Sequence, residues 1–189
     1  MMPHKRQTDH HCRCSSYTLE SHVSKRNCGA LLLVATFRFK LDERTGIQVG
    51  RPPVGVRMLG PADTRLRADI KFLPDEFGGM FTCKTEDVPD AAIRVQVDTG
   101  RAGILLLQTC LLPPREEPYD LSVELARHRV KTFIVKCEEW QMFDPALAPE
   151  AVEAFEAARH TFTDALLITD SLEQGTVAAR SLTEGLRAT

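Results

Sequence analysis

The sequence predicts an α+β fold, in which an antiparallel, β-sandwich-like domain is followed by two or three α-helices. Between residues 30 and 113, short apolar runs with an alternating pattern are separated by turn residues, a spacing typical of antiparallel sandwiches. From residue 119 the apolar residues recur every three or four positions, as in amphipathic helices. Residues 1–28 show neither pattern. We therefore divide the chain into a disordered leader over 1–28, a β-domain over 29–114 and a helical segment over 115–189.

The strand predictions follow from alternation and from turn residues. In Leu66–Leu73 one set of alternating residues is apolar and the other is charged, which predicts a half-buried strand. A strand over Leu31–Leu41 is predicted to end in a turn at Asp42–Gly46. The remaining predicted strands are Val54–Leu59, Met80–Lys84 after a Gly78–Gly79 turn, Ile93–Val97 and Gly103–Leu112.

Three helices are predicted after this region. Asp120 is placed as the N-cap of the first, the second begins near Pro149, and the third follows Asp170 or Ser171. The apolar stripe of the first helix comprises Val123, Ala126, Val130, Phe133, Ile134, Cys137 and Trp140. The third helix reaches Thr189 without a stop signal, so we expect the helical segment to be truncated.

Composition excludes some classes of function. The chain has 43% apolar residues and a net charge of −2, which gives no overall electrostatic attraction to nucleic acid or an acidic membrane. The apolar run Gly29–Phe37 is too short to span a bilayer and precedes no small-residue cleavage site. The six cysteines have no disulfide-framework spacing. We expect no signal peptide and no membrane span, and a location that is cytoplasmic or else undetermined.

Metal and cofactor motifs are weak. The leader contains His10, His11, Cys12 and Cys14, but one residue between the two cysteines departs from zinc-finger spacing. These residues are only weak metal candidates, and a solvated tail is the favoured interpretation. The glycines form no phosphate-binding loop, so we predict no metal and no cofactor.

No catalytic residue is predicted either. Glycosidases need two carboxyl groups on opposite sides of one bond, whereas Glu138 and Glu139 are adjacent on a helix and point apart. His128 and His160 have no nucleophile at a suitable spacing. Aromatic rings that could stack on a sugar are few: Tyr119, expected to be partly exposed, and Trp140, for which a core position is favoured, are the weak carbohydrate-binding candidates.

The most distinctive stretch runs from Leu105 to Asp144: LLLQTCLLPPREEPYDLSVELARHRVKTFIVKCEEWQMFD. It resembles the junction between a β-domain and helices in planctomycete-type proteins of glycoside hydrolase family 10, the endo-β-1,4-xylanase-like proteins. The segment LRADIKF, Leu66–Phe72, resembles a strand of their N-terminal accessory region. The matching junction residues are Leu111, Leu112, Pro113, Arg115, Pro118, Tyr119, Leu121, Glu124, Leu125, Ala126, Arg127, Glu138, Glu139, Trp140, Phe143 and Asp144.

The resemblance implies a non-catalytic N-terminal module of a xylanase-like glycoside hydrolase, linked to xylan metabolism and without the catalytic barrel. Its implied partners are a catalytic (β/α)₈ barrel or a polysaccharide. The alternatives are a stand-alone carbohydrate-binding or protein-interaction module, or a truncated gene product. We expect no xylanase activity from this chain alone. We also expect self-association through the helices, because their apolar residues exceed what a small layer can cover: Phe155, Phe162, Leu166, Leu182 and Leu186.

Charged residues cluster where the strands give way to helices. We predict that Arg115 contacts Glu124 and fixes the first helix against the sheet. Arg127 is predicted to reach Glu116 or Glu117. If all of these side chains are solvated instead, each pair contributes only about 0–1 kcal/mol to the stability of the fold.

Overall fold

A computed structural model describes residues 34–50, 53–86, 88–100, 103–142 and 144–189. The predicted leader over 1–28, with its metal candidates His10, His11, Cys12 and Cys14, lies outside these described residues. The strands are β1 Val34–Asp42, β2 Gln48–Val49, β3 Arg57–Leu59, β4 Ala68–Asp75, β5 Gly78–Glu86, β6 Ala92–Asp98, β7 Ile104–Gln108 and β8 Tyr119–Asp120. The helices are α1 Leu121–Glu139, α2 Pro149–Leu167 and α3 Ser171–Ala188.

The strands form two sheets. The first has the order β4-β5-β1-β8; its neighbours are antiparallel except for the two-residue parallel pair between β1 and β8. In the second sheet, β6 pairs with β2 and β3 on one edge and with β7 on the other, always antiparallel. This arrangement confirms the α+β fold of antiparallel strands followed by three helices. The sandwich-like stacking of the two sheets stays a prediction.

One hydrophobic core joins both sheets and all three helices. Alternate residues of β1 and β5 point into it, with Phe37, Phe39 and Phe81 fully buried. From the second sheet, Ile93, Val95 and Val97 enter the same cluster. The helices contribute their buried faces, such as Leu125, Phe162 and Leu182. The period-two and helical patterns in the sequence therefore meet in a single core rather than in two separate ones.

Three strand predictions need correction, and the first of them, Val54–Leu59, shortens to β3 Arg57–Leu59. The predicted Gly78–Gly79 turn belongs to β5, and the hairpin turns at Glu76 and Phe77 instead. A Cβ atom on Gly79 would approach the carbonyl oxygen of Leu73 to 2.5 Å, so the glycine is needed for close strand approach rather than for the turn. The predicted strand Gly103–Leu112 is shorter, because β7 ends at Gln108 and Leu112 forms only an isolated bridge to Ala91.

The predicted helix starts are confirmed. Asp120 caps α1 by accepting a hydrogen bond from the Val123 amide, and Asp170 caps α3 by accepting one from the Glu173 amide. Pro149 occupies the first turn of α2. No helix among the described residues is long and apolar enough to cross a bilayer.

Candidate functional site

The junction before α1 is fixed by Arg115 and Tyr119. The Arg115 guanidinium lies 3.5 Å from the centre of the Tyr119 ring and donates to the backbone oxygens of Glu117 and Pro118. The Tyr119 hydroxyl donates to the Pro113 oxygen at 2.7 Å. These contacts close the 113–120 segment on itself and hold β8 beside β1.

This arrangement overturns the expected exposure of Tyr119. The residue is only 4% exposed, and its ring packs between Arg115 and Phe39. Burial raises the pKa of its hydroxyl, which the nearby Arg115 partly offsets. A sugar cannot stack on this ring while the junction is folded.

The predicted charge pairs are also wrong. Glu124 is buried and pairs with Arg127 of the same helix at 3.0 Å, whereas Arg115 binds backbone oxygens. The loop is tied to the sheet by Arg38, whose guanidinium donates to the Glu116 backbone oxygen. The charged cluster does fix the junction, but it does so through backbone carbonyls and one local pair. Sequence spacing gave no signal for carbonyl acceptors, because every residue carries one.

The end of α1 forms the first candidate site. Gln141 adopts a left-handed conformation with φ of 55°, and the Met142 amide donates to the Cys137 oxygen at 2.9 Å. This is the Schellman pattern that ends many helices. It turns Met142 back toward Cys137 and leaves Trp140 62% exposed. The favoured core position of Trp140 is therefore wrong.

Trp140 borders an apolar groove of about 160 Å³, the Trp140 groove. The stacked rings of Phe133 and Phe155, 4.2 Å apart, join α1 to α2 beside it. The Lys136 ammonium lies 4.8 Å from the Trp140 ring centre, which is within cation–π range. The groove is lined by Phe133, Lys136, Cys137, Trp140, Met142, Asp144, Ala148, Ala151, Val152, Ala188 and Thr189. It thus combines an aromatic ring and an apolar floor with hydrogen-bonding groups.

A second candidate, the polar cleft, has a volume of about 370 Å³ and lies between α1 and the start of β6 and end of β7. Gln108 links its side chains: its amide nitrogen donates to Asp63 at 3.0 Å and lies 3.4 Å from His128 Nε2. The Gln108 amide oxygen accepts from Arg94. Asp63 adopts φ of 56°, an uncommon conformation for a residue other than glycine. Sequence reasoning missed this cleft because its members come from distant parts of the chain.

In the polar cleft, burial favours the neutral forms of the His128 imidazole and the Cys110 thiol. Burial, reinforced by the cationic Lys131 and Arg129, lowers the pKa of His128, so its imidazole is neutral at pH 7. Burial raises the pKa of the nearby Cys110 thiol, and a protonated thiol is a poor nucleophile. The cleft therefore presents hydrogen-bonding groups without an activated attacking group.

Burial raises the pKa of the Asp120 carboxyl. Its oxygen accepts from the Val123 amide as a helix cap, and Gly175 of α3 packs against it. Among the described residues, no group of three histidine, cysteine or acidic side chains is placed to hold a metal ion.

No protein-family model, curated protein or solved structure matches this chain.

Proposed function

We propose that this chain is a non-catalytic module of a xylanase-like glycoside hydrolase and that it contacts carbohydrate through the Trp140 groove. The observation that carries the proposal is the exposure of Trp140, 62% of whose surface is accessible. A large indole left in solvent at the edge of an apolar groove is a typical feature of a binding surface. Its ring offers a flat apolar face, which matches the apolar face of a pyranose.

The surroundings of Trp140 supply the polar part of such a contact. Lys136 and Asp144 lie at the groove and offer an ammonium donor and carboxylate acceptors. A sugar presents hydroxyl groups around the rim of its ring, so an aromatic face beside hydrogen-bonding groups is a suitable combination. Small-molecule sites are usually built in this way, with a few polar groups around an apolar surface.

The residues that carry the family resemblance divide into two groups by position. Tyr119, Leu121 and Leu125 are buried and anchor α1 to the sheet. Trp140 and Asp144 line the groove. This division supports the proposal that one part of the motif maintains the junction while the other part meets a ligand. The free thiols of Cys83, Cys110 and Cys137 support a reducing, cytoplasmic location as part of the same proposal.

Intrinsic fluorescence provides a direct test, because the chain contains a single tryptophan. Titration with xylohexaose should change the intensity or wavelength of Trp140 emission in a saturable way. Calorimetry should show that Trp140→Ala loses this binding and that His128→Gln, on the polar cleft, retains it. The unaltered chain and both variants should release no reducing sugar from xylan. Absence of saturable binding by the unaltered chain would contradict the proposal.

A protein-interaction module is the second candidate, and one observation favours it. Leu166 and Leu167 at the end of α2 are 44% and 78% exposed, so self-association would cover two adjacent leucines. Phe162 and Leu182, in contrast, are buried within the layer. Sedimentation velocity over a range of protein concentrations should show a dimer that Leu166→Gln/Leu167→Gln removes. A monomer at every concentration would exclude self-association.

A further inference from the structure

A third surface feature is a wide groove between the edges of the two sheets. It has a volume of about 630 Å³ and lies where the chain passes from β3 to β4. The Leu66 amide donates to the Met58 oxygen at 3.0 Å, which holds this crossing segment against β3. The groove is lined by Val56, Arg57, Met58, Arg65, Leu66, Arg67, Ala68, Asp69 and Ile70. We call it the arginine groove.

Three of its lining residues, Arg57, Arg65 and Arg67, are exposed arginines. None of their guanidinium groups has a hydrogen-bond, ion-pair or aromatic partner among the described residues, although the Arg67 backbone oxygen accepts from Thr85 Oγ1. Elsewhere, Arg159 and Arg187 each pair with a glutamate three residues away. Each of these two surface arginines therefore has a carboxylate partner on its own helix.

The acidic side chain in the arginine groove does not balance the three positive charges. Asp69 faces Lys71, with 3.8 Å between the carboxylate and the ammonium. The groove is therefore a local concentration of positive charge on a chain whose net charge is −2. Guanidinium groups bind carboxylates through paired hydrogen bonds, so three unpaired ones in a groove favour an anionic partner.

The backbone beside the arginine groove favours an extended polypeptide as that partner. β4 is the terminal strand of its sheet, so one edge carries backbone groups that no neighbouring strand pairs. Such an edge can accept an additional strand from another protein. Pro74 lacks an amide hydrogen and lies in the second half of β4, so the free edge next to Arg67 is the better acceptor.

The spacing of the arginines also fits a strand. Arg65 and Arg67 are two residues apart and exposed, and Leu66 between them is half-buried, an alternation that has the period of a β-strand. A partner strand with acidic residues at alternate positions has the same repeat. Its other side chains would be apolar and would meet the half-buried Val56 and Ile70.

From these observations we propose that the arginine groove binds an extended acidic segment of a partner protein. The segment adds to the free edge of β4 and places its carboxylates on Arg57, Arg65 and Arg67. This proposal does not rest on carbohydrate binding, because the arginine groove and the Trp140 groove share no lining residue.

The test uses a fluorescein-labelled peptide of alternating glutamate and valine. Its controls are the lysine–valine peptide and a peptide of the same composition with glutamates and valines in separate blocks. Fluorescence anisotropy should show binding of the alternating acidic peptide, weakened by added salt. Arg57→Gln/Arg65→Gln/Arg67→Gln should weaken it by at least about tenfold, because losing charge-assisted hydrogen bonds has an effect of this order.

The matched control removes the same number of charges from the helices, through Arg159→Gln/Arg180→Gln/Arg187→Gln, and should leave peptide affinity nearly unchanged. Hydrogen exchange of the Ala68 to Lys71 amides should slow when the peptide binds. Circular dichroism should show both variants folded, and if the triple variant is not, the three single substitutions replace it. Equal binding of the block peptide, tighter binding of polygalacturonate than of the peptide, or no binding at all would overturn the proposal.

Discussion

The two halves of α1 share one sequence pattern but differ in their surroundings. From Leu121 to Ala126 every residue is buried, including Ser122 and Glu124. In the second half, Ile134 is 45% exposed and Trp140 is 62% exposed, although both lie on the predicted apolar stripe. The first half follows β8 directly in the chain, whereas the second half packs on α2 through Phe133 and Phe155 and ends at the Trp140 groove. Periodicity therefore shows which helix face is apolar, but not whether another element covers it.

This difference separates an anchoring half from a half with free surface. The anchoring half is held by the Asp120 cap, by the Tyr119 hydroxyl and by the pair of the buried Glu124 with the partly exposed Arg127. The free half carries His128 on the polar cleft and Trp140 on the Trp140 groove. Substitutions in the anchoring half should therefore change stability, and those in the free half should change binding.

The largest expected effect comes from shortening one apolar side chain in each half. Leu125→Ala should lower the free energy of unfolding by about 2–5 kcal/mol, because it opens a cavity at a side chain that is fully buried. Ile134→Ala should cost less than about 1 kcal/mol, because nearly half of that side chain is already in water. Urea denaturation followed by circular dichroism measures both. Equal losses would contradict the division of α1 into two halves.

Two glycines of α3 also test the difference between the halves of α1, because Gly175 lies near Asp120 and Gly185 lies near Arg129. A Cβ on Gly175 would lie 2.8 Å from the Thr45 methyl group and 3.4 Å from the Asp120 carboxylate, at the base of α1. A Cβ on Gly185 would lie 2.9 Å from Cγ and 3.4 Å from Cβ of Arg129, so the start of that side chain would have to move. Helix propensity favours alanine over glycine by about 1 kcal/mol at both positions, but overpacking costs about 1–3 kcal/mol.

We therefore expect Gly175→Ala, which meets the short and buried Thr45, to lower the melting temperature more than Gly185→Ala does. Thermal denaturation of the two variants in the same buffer provides the comparison. A stabilised Gly175→Ala protein would mean that α3 does not pack closely on the start of α1.

The smallest expected effect concerns pH and His128, which begins the free half. Its pKa in the folded chain lies below the ordinary 6.5, so the unfolded chain binds the proton more readily. Stability is therefore fully present above pH 6.5 and declines as the pH falls from there toward the folded pKa. The charges around the ring are those of Lys131, Arg129, Asp63 and Arg94. Of these only Asp63 favours the protonated form.

His128→Gln should remove this decline, since glutamine does not titrate. The hydrogen bond with Arg44 lowers the pKa of Asp42 below 3.8, so that carboxyl titrates at lower pH than His128. Burial raises the pKa of Asp120 above 3.8, and because both proteins contain Asp120, its titration cancels from the comparison. Melting temperatures of the two proteins over a pH series test this prediction. An equal decline in both proteins would show that another group is responsible.

The sequence predicted those features of the fold that depend on local pattern. The alternation in β1, β4 and β6 and the caps at Asp120 and Asp170 are confirmed, because each depends on neighbours within a few residues. The two-residue strand β8 was missed, since its pairing of Tyr119 with Phe39 joins positions far apart in the chain.

The candidate sites were less predictable for the same reason. Trp140 is exposed because Gln141 ends the helix in a left-handed conformation without a glycine, so no stop signal marked the position. The polar cleft requires Asp63, Gln108 and His128 to meet from three elements, and no local spacing indicates such a meeting. The resemblance to family 10 glycoside hydrolases selected Trp140 and Asp144 among its motif residues but gave no indication of their exposure.

The proposal that the free half of α1 is the carbohydrate-binding half is tested most directly by amide chemical-shift mapping. Spectra of the ¹⁵N-labelled chain are recorded with increasing xylohexaose, alongside Trp140→Ala under the same conditions. The account predicts saturable shifts confined to the residues of the Trp140 groove, among them Lys136, Trp140 and Asp144, and their loss in the variant. Shifts centred on the polar cleft or the arginine groove, or no shifts at saturating sugar, would contradict it.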